Sequence, residues 1–124
     1  MKISDVMTKQ PRVISADDTV LRAAEQLAQK DIGMLPVAKD DRLVGVLTDR
    51  DIVVRVVARH LDPAKTTVAS VVSAQPKYCF EDEDSEQVAN NMDELMIRRL
   101  PVMNRDKRLV GIVSLEDIRP RKSS

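Results

Sequence analysis

The chain has 124 residues, of which 43% are hydrophobic, 32% charged and only 2% aromatic, and twenty basic residues balance twenty acidic ones. That balance lacks the basic surplus of a sequence-tolerant nucleic-acid binder, and so few aromatics leave almost no platform for stacking bases. The single cysteine, Cys79, cannot close an internal disulfide, and no apolar run reaches the roughly 20 residues of a membrane span, so the expectation is a cytoplasmic protein with a core of Val, Leu, Ile, Met and Ala.

The opening MKISDVMTKQP has no apolar stretch of signal-peptide length. After its proline a short extended piece, RVIS (Arg12–Ser15), leads into a helix behind the turn residues Asp17 to Thr19, with Val20, Ala23, Ala24, Leu27 and Ala28 at helical spacing. Two strands follow, GMLPVA (Gly33–Ala38) and RLVGVLT (Arg42–Thr48), joined by the polar KDD as a hairpin. A helix beginning at Thr48 is expected to turn Ile52, Val53, Val56 and Val57 to one side until LDP closes it.

The order then repeats. At an offset of 65 residues DVMTKQP (Asp5–Pro11) falls on SVVSAQP (Ser70–Pro76) and LPV (Leu35–Val37) on LPV (Leu100–Val102); after one inserted residue near Arg105, RLVGVLTDRDI (Arg42–Ile52) falls on RLVGIVSLEDI (Arg108–Ile118). The second copy reads KYCF (Lys77–Phe80), a helix with Val88, Met92, Leu95 and Met96 behind Asp84, strands RRLPVM (Arg98–Met103) and RLVGIVS (Arg108–Ser114) joined by NRDK, and a helix cut short by Pro120. Two copies of a long period make a tandem supersecondary unit and not a solenoid. The expected organisation is a first unit over 1–60, a linker over 61–67, a second unit over 68–120 and a tail over 121–124, the units docking as one α+β body.

In each copy a hydroxyl residue ends the second strand, Thr48 or Ser114, and an aspartate stands three positions on, Asp51 or Asp117. Local physics reads this as a capping box: the hydroxyl accepts from the first helical amides and the acid reaches back to the cap's own amide. Capping leaves Gly45 and Gly111 unexplained, because glycine inside a strand costs about 0.5–1 kcal/mol. A strand glycine repeated in register suggests a close approach to the backbone. A helix start favours an anion, a hydroxyl can donate to phosphate, and an ionised aspartate accepts from vicinal sugar hydroxyls.

The tandem Gly-hydrophobic-x-Thr/Ser-x-x-Asp, with its Pro-ended openings and LPV strands, resembles the CBS domain over nearly the whole chain. The resemblance implies a Bateman module: two β-α-β-β-α units about a pseudo-twofold axis, with clefts between them that hold adenosine derivatives in many members. It implies Thr48 and Asp51 at one cleft and Ser114 and Asp117 at the other, with main chain near Val13, Ile14, Tyr78 and Cys79 facing the base and Pro36 and Pro101 flanking it. Phosphate would meet Arg98 and Arg99, crossing from the second unit to serve the Asp51 cleft, where the first copy has Gly33 and Met34; Arg50 is a further candidate, replaced by Glu116 in copy two. The expected function is a regulatory signal-transduction module sensing an adenine nucleotide or adenosyl compound, with AMP the first choice and ADP, ATP, NAD and S-adenosylmethionine open. A carboxylate-bound Mg²⁺ accompanying a nucleotide also stays open.

The alternative is a CBS-fold interaction module without a small molecule, in which Thr48 and Ser114 only cap. Catalysis is not expected, since no nucleophile–base pair or glycine-rich phosphate loop is present. One histidine, His60, and one cysteine cannot assemble the usual metal cluster. Cys79, Met92, Met96 and Met103 read as packing, and RPRK (Arg119–Lys122) as a solvated tail. Apolar surface on the helix around Val54 points to a homodimer acting on an effector protein that the sequence does not name.

Overall fold

The computed structural model describes residues 1–30, 33–72 and 76–120. In chain order the elements are α1 (Ile3–Val6), β1 (Thr8–Lys9), β2 (Ile14–Ser15), α2 (Val20–Lys30), β3 (Met34–Lys39), β4 (Arg42–Thr48), α3 (Asp49–Ile52) continued by a π-helical turn (Val53–Val57), a 3₁₀ turn (Val68–Ser70), β5 (Cys79–Phe80), α4 (Ser85–Leu95), β6 (Arg99–Met103), β7 (Leu109–Ser114) and α5 (Leu115–Ile118). The fold is mixed α and β, and the β-α-β-β-α order appears twice. Ser73 to Gln75 of SVVSAQP, Arg121 and Lys122 of RPRK and the tail over 121–124 lie outside the described residues.

The chain packs into two compact bodies whose boundaries are not those of the repeat: one comprises 12–76, and the other joins 1–11 to 77–124. The physical reason lies in hydrogen bonding. β1 runs antiparallel to β7, Thr8 opposite Ile112 and Lys9 opposite Gly111. The amides of Ile3 and Ser4 donate to the carbonyls of Glu83 and Glu81, each at 2.9 Å, so the first eleven residues are tied to the second copy. The stretch expected as a linker is likewise part of a body: Val20 N–H donates to Thr66 O at 2.9 Å, Leu21 N–H to Pro63 O at 3.0 Å and Val68 N–H to Asp18 O at 2.8 Å.

In the 12–76 body the sheet order is β2-β3-β4, with β2 parallel to β3 and β3 antiparallel to β4. Asp40 and Asp41 both take positive φ, 53° and 63°, the backbone of a tight two-residue hairpin turn, which aspartate tolerates. Pro36 sits within β3, yet β2 begins only opposite Val37, so the proline precedes the doubly paired stretch. The buried core is Ile14, Ala16, Val20, Ala23, Leu27, Leu35, Val37, Leu47, Val56, Val68 and Val71.

The other body has sheet order β1-β7-β6-β5 around a core of Ile3, Cys79, Val88, Met92, Leu100, Val102 and Val113. Its hairpin is closed by Asn104, whose side-chain oxygen accepts from the amides of Asp106 at 3.0 Å and Arg108 at 2.9 Å.

Three sequence expectations are corrected. Only Val56 of the helix after Thr48 is buried, with Ile52 partly so; Val53 and Val57 are 58% and 60% exposed. Ala58 N–H bonds to Val53 O, five residues back, and this wider turn rotates the valines out of α-helical phase. Leu95 and Met96 are exposed as well, because Met96 ends α4 in the left-handed region at φ 57° and turns the chain away. Arg119 is no solvated tail: its guanidinium donates to Asp93, to Asn90 at 2.7 Å and to Glu86 at 3.2 Å along one face of α4.

Candidate functional site

Both predicted caps form. Thr48 Oγ1 accepts from the Asp51 amide at 3.0 Å while Asp51 Oδ2 accepts from the Thr48 amide at 3.0 Å. Ser114 Oγ accepts from the Asp117 amide at 3.1 Å and Asp117 Oδ2 from the Ser114 amide at 2.8 Å. Each box uses one lone pair of the hydroxyl and one carboxylate oxygen. No hydrogen bond among the described residues takes Asp51 Oδ1 or Asp117 Oδ1, or uses the hydroxyl protons of Thr48 and Ser114. Cap and ligand shell therefore do not compete: each aspartate is fixed by one oxygen and keeps the other, beside a hydroxyl still able to donate.

Met34 stands opposite Thr48 across the β3–β4 hairpin and Arg99 opposite Ser114 across β6–β7. Arg98 Nη2 lies 3.3 Å from Glu116 Oε1, both exposed, so one arginine of the expected pair is engaged inside its own body. Where copy two has that ion pair, copy one has Gly33 and Arg50, and Arg50 makes no ion pair among the described residues. Pro36 and Pro101 are buried in their strands opposite Val46 and Ile112.

Val13 and Tyr78 are half-exposed just before β2 and β5, whereas Ile14 and Cys79 point into the cores. Burial, and then the charge of Glu83, pushes the Cys79 thiol up to about 12, which makes it a packing group at neutral pH. Val13 and Ile14 also line an open hollow of about 350 Å³ with Ser15, Asp17, Ala38, Lys39, Asp40 and Asp41. It lies at the turn end of the β3–β4 hairpin, away from Thr48, and sequence reasoning did not find it.

The glycine argument resolves differently from its expectation. A Cβ on Gly111 would stand 2.7 Å from Met7 Sδ and 2.8 Å from Thr8 O. What approaches the Gly111 backbone is the chain's own β1.

Among the described residues no group of three or more His, Cys, Asp or Glu is placed to hold a metal ion, and no helix is long and apolar enough to cross a membrane.

A duplicated strand hairpin ending in a Thr/Ser–Asp capping box defines a class of paired regulatory units, and comparison with known proteins bears on it directly. The family model of the CBS domain matches twice, over residues 3–58 and 68–122. The chain belongs to the CBS domain family. Hypoxic response protein 1 of Mycobacterium tuberculosis is 37% identical over 92% of this chain and 80% of its own length. The crystal structure of Hypoxic Response Protein I with two coordinated zinc ions superposes with a TM-score of 0.87 at 35% identity, covering 99% of this chain and 100% of that one. CBSX2 in complex with AMP has a TM-score of 0.83 at 26% identity over 94% and 92% of the two chains. A CBS domain pair in complex with 5′-methylthioadenosine and S-adenosyl-L-methionine has a TM-score of 0.82 at 29% identity over 96% and 93%.

Proposed function

We propose that this CBS pair is a regulatory module, and not an enzyme, that senses an adenosyl compound through Asp51 and Asp117, with AMP the first candidate. The observation that carries the reading is the capping box itself: in both copies it leaves one aspartate oxygen and one hydroxyl proton unused, an acceptor for ribose hydroxyls beside a donor for phosphate. That similar CBS pairs have been solved with AMP and with S-adenosyl-L-methionine supports the ligand class. Mg²⁺ would enter only with a nucleotide's phosphates.

The same reading makes the protein a cytoplasmic homodimer working through an effector protein. Val53, Val54, Val57 and Leu61, between 44% and 60% exposed, form the apolar face that a second copy would cover. A light-scattering mass of one chain at micromolar concentration would remove the dimer from the proposal.

A second reading, association without a small molecule, is favoured by two facts: the boxes are complete as caps, and Arg98 is already paired with Glu116. Calorimetry on nucleotide-stripped protein separates the two. The sensing reading expects saturable AMP binding, one event lost in Asp51→Ala and the other in Asp117→Ala. No heat with AMP, ATP or S-adenosylmethionine at millimolar concentration leaves the capping-only reading standing.

A further inference from the structure

The hollow at the turn end of β3–β4 has a counterpart in the other body, and there it is filled. The strand registers match: Ile14 lies opposite Val37 and Ser15 opposite Ala38, as Cys79 lies opposite Val102 and Phe80 opposite Met103. Tyr78, Phe80, Asp82 and Met103 therefore hold the places of Val13, Ser15, Asp17 and Ala38. Over these positions the 77–124 segment folds its own arginine. The guanidinium carbon of Arg105 stands 4.0 Å from the centre of the Phe80 ring, Nε donates to Asp82 Oδ2 at 2.9 Å, and Nη2 to Oδ1 at 2.8 Å. Tyr78 packs edge-on against the same ring at 5.5 Å.

In the 12–76 body each part of that plug is changed except its anchor. Phenylalanine becomes Ser15 and methionine becomes Ala38, which empties the space; the turn that supplied the arginine supplies Asp40; and the carboxylate survives as Asp17. We propose that this hollow is a binding site for a guanidinium cation, taking from outside the group that the other copy provides for itself. Asp17 is placed to accept the two-pronged fork as Asp82 does, an apolar stem would lie along Val13 and Ala38, and Asp40 adds a second negative group where the first copy carries no arginine. A volume of about 350 Å³ suits a small ligand. Lys39 is the one cation of the lining and opposes binding; its counterpart is the neutral Asn104.

Without the Phe80 ring, and open to water, the site should bind weakly, with a dissociation constant of about 1–10 mM for agmatine at low salt. The inference does not rest on the adenosyl reading: Val13 and Ile14 are common to both, but Thr48 and Asp51, which carry that reading, do not line the hollow.

The test is an amide-resolved NMR titration of the whole chain with agmatine, with N-carbamoylputrescine, which keeps the ammonium and replaces the guanidinium by a neutral urea, and with a Gly-Arg-Gly peptide. Agmatine should shift the amides of Val13, Ala38 and Asp40, N-carbamoylputrescine should bind at least 10-fold more weakly, and Asp17→Asn should weaken agmatine about 5-fold or more. Arg105→Ala, which opens the counterpart, should lose thermal stability and regain part of it in agmatine, with new shifts at Tyr78 and Met103. A peptide tighter than agmatine assigns the guanidinium to a protein side chain, and the reverse order to a free small cation. The proposal fails if about 20 mM agmatine leaves Val13, Ala38 and Asp40 unmoved, if Asp17→Asn binds as well as wild type, or if N-carbamoylputrescine matches agmatine.

Discussion

Replacing Gly111 by alanine tests whether the strand glycine serves the chain's own packing. Where a strand site is open, adding one methyl group to glycine restricts the unfolded chain and stabilises by about 0.4–1 kcal/mol. At Gly111 the methyl would stand 2.7 Å from Met7 Sδ and 2.8 Å from Thr8 O. The sulfur ends a flexible side chain and can move, but the carbonyl oxygen belongs to β1, which its ladder to β7 and the bonds of Ile3 and Ser4 to Glu83 and Glu81 hold in place. Overpacking of this kind costs about 1–3 kcal/mol, so the sign of the effect reverses. With a urea dependence of about 1–3 kcal/mol per molar, the midpoint of unfolding should fall by about 1 M. Adding Met7→Ala should recover only part of the loss, because the backbone contact remains. A midpoint that stays level or rises in Gly111→Ala would refute the reasoning and return the glycine to a ligand role.

Thr48→Ala and Ser114→Ala should each lose about 1 kcal/mol of unfolding free energy, the worth of an N-cap, while Thr48→Ser should stay within a few tenths. Native Cys79 should resist thiol reagents at pH 7.5, its labelling rate following global unfolding in denaturant; rapid labelling of the folded protein would contradict its burial. Because the folded thiol titrates above its unfolded value, its contribution is whole below the ordinary thiol range and is lost as pH rises from 9.0 towards about 12. The hydrogen bond from Arg105, and to a lesser degree its charge, lowers the Asp82 carboxyl, so this pair contributes above the ordinary carboxylate range and is lost as pH falls through the lowered value. Arg105→Ala should therefore flatten the acid limb of a stability–pH curve; an unchanged limb would show that the pair carries none of it.

Hairpins and caps were legible because their signals are local. LPV followed by RLVG marks two strands around a polar turn, and a hydroxyl with an acid three residues on marks a helix start; both recur where expected, to within a residue or two. What could not be read depended on partners far away in sequence. Nothing in MTKQP says that Thr8 pairs with Ile112, and nothing near Arg119 says that Glu86, Asn90 and Asp93 present one acidic face to it. The exposed Val53 and Val57 were misplaced because helical periodicity assumes an α-helix throughout, and a π turn breaks the count. At the candidate site the aspartates and hydroxyls were found by spacing, while the filled and empty forms of the hollow emerged only once the two registers could be compared.

The pairing of the opening segment with the second copy also sets an order of events during synthesis. The 12–76 body has its strands β2, β3 and β4 and its buried valines once the first 76 residues have emerged, and nothing from later residues enters its buried core. Residues 1–11, although made first, have no sheet to join until β7 appears about a hundred residues later. At roughly 5–20 residues per second that is an interval of about 5–20 s, during which Ile3, Val6 and Met7 are exposed on an unpaired segment. The first hairpin, complete at Thr48, thus forms before the second exists, and the opening segment reaches its own partner only when β7 is made.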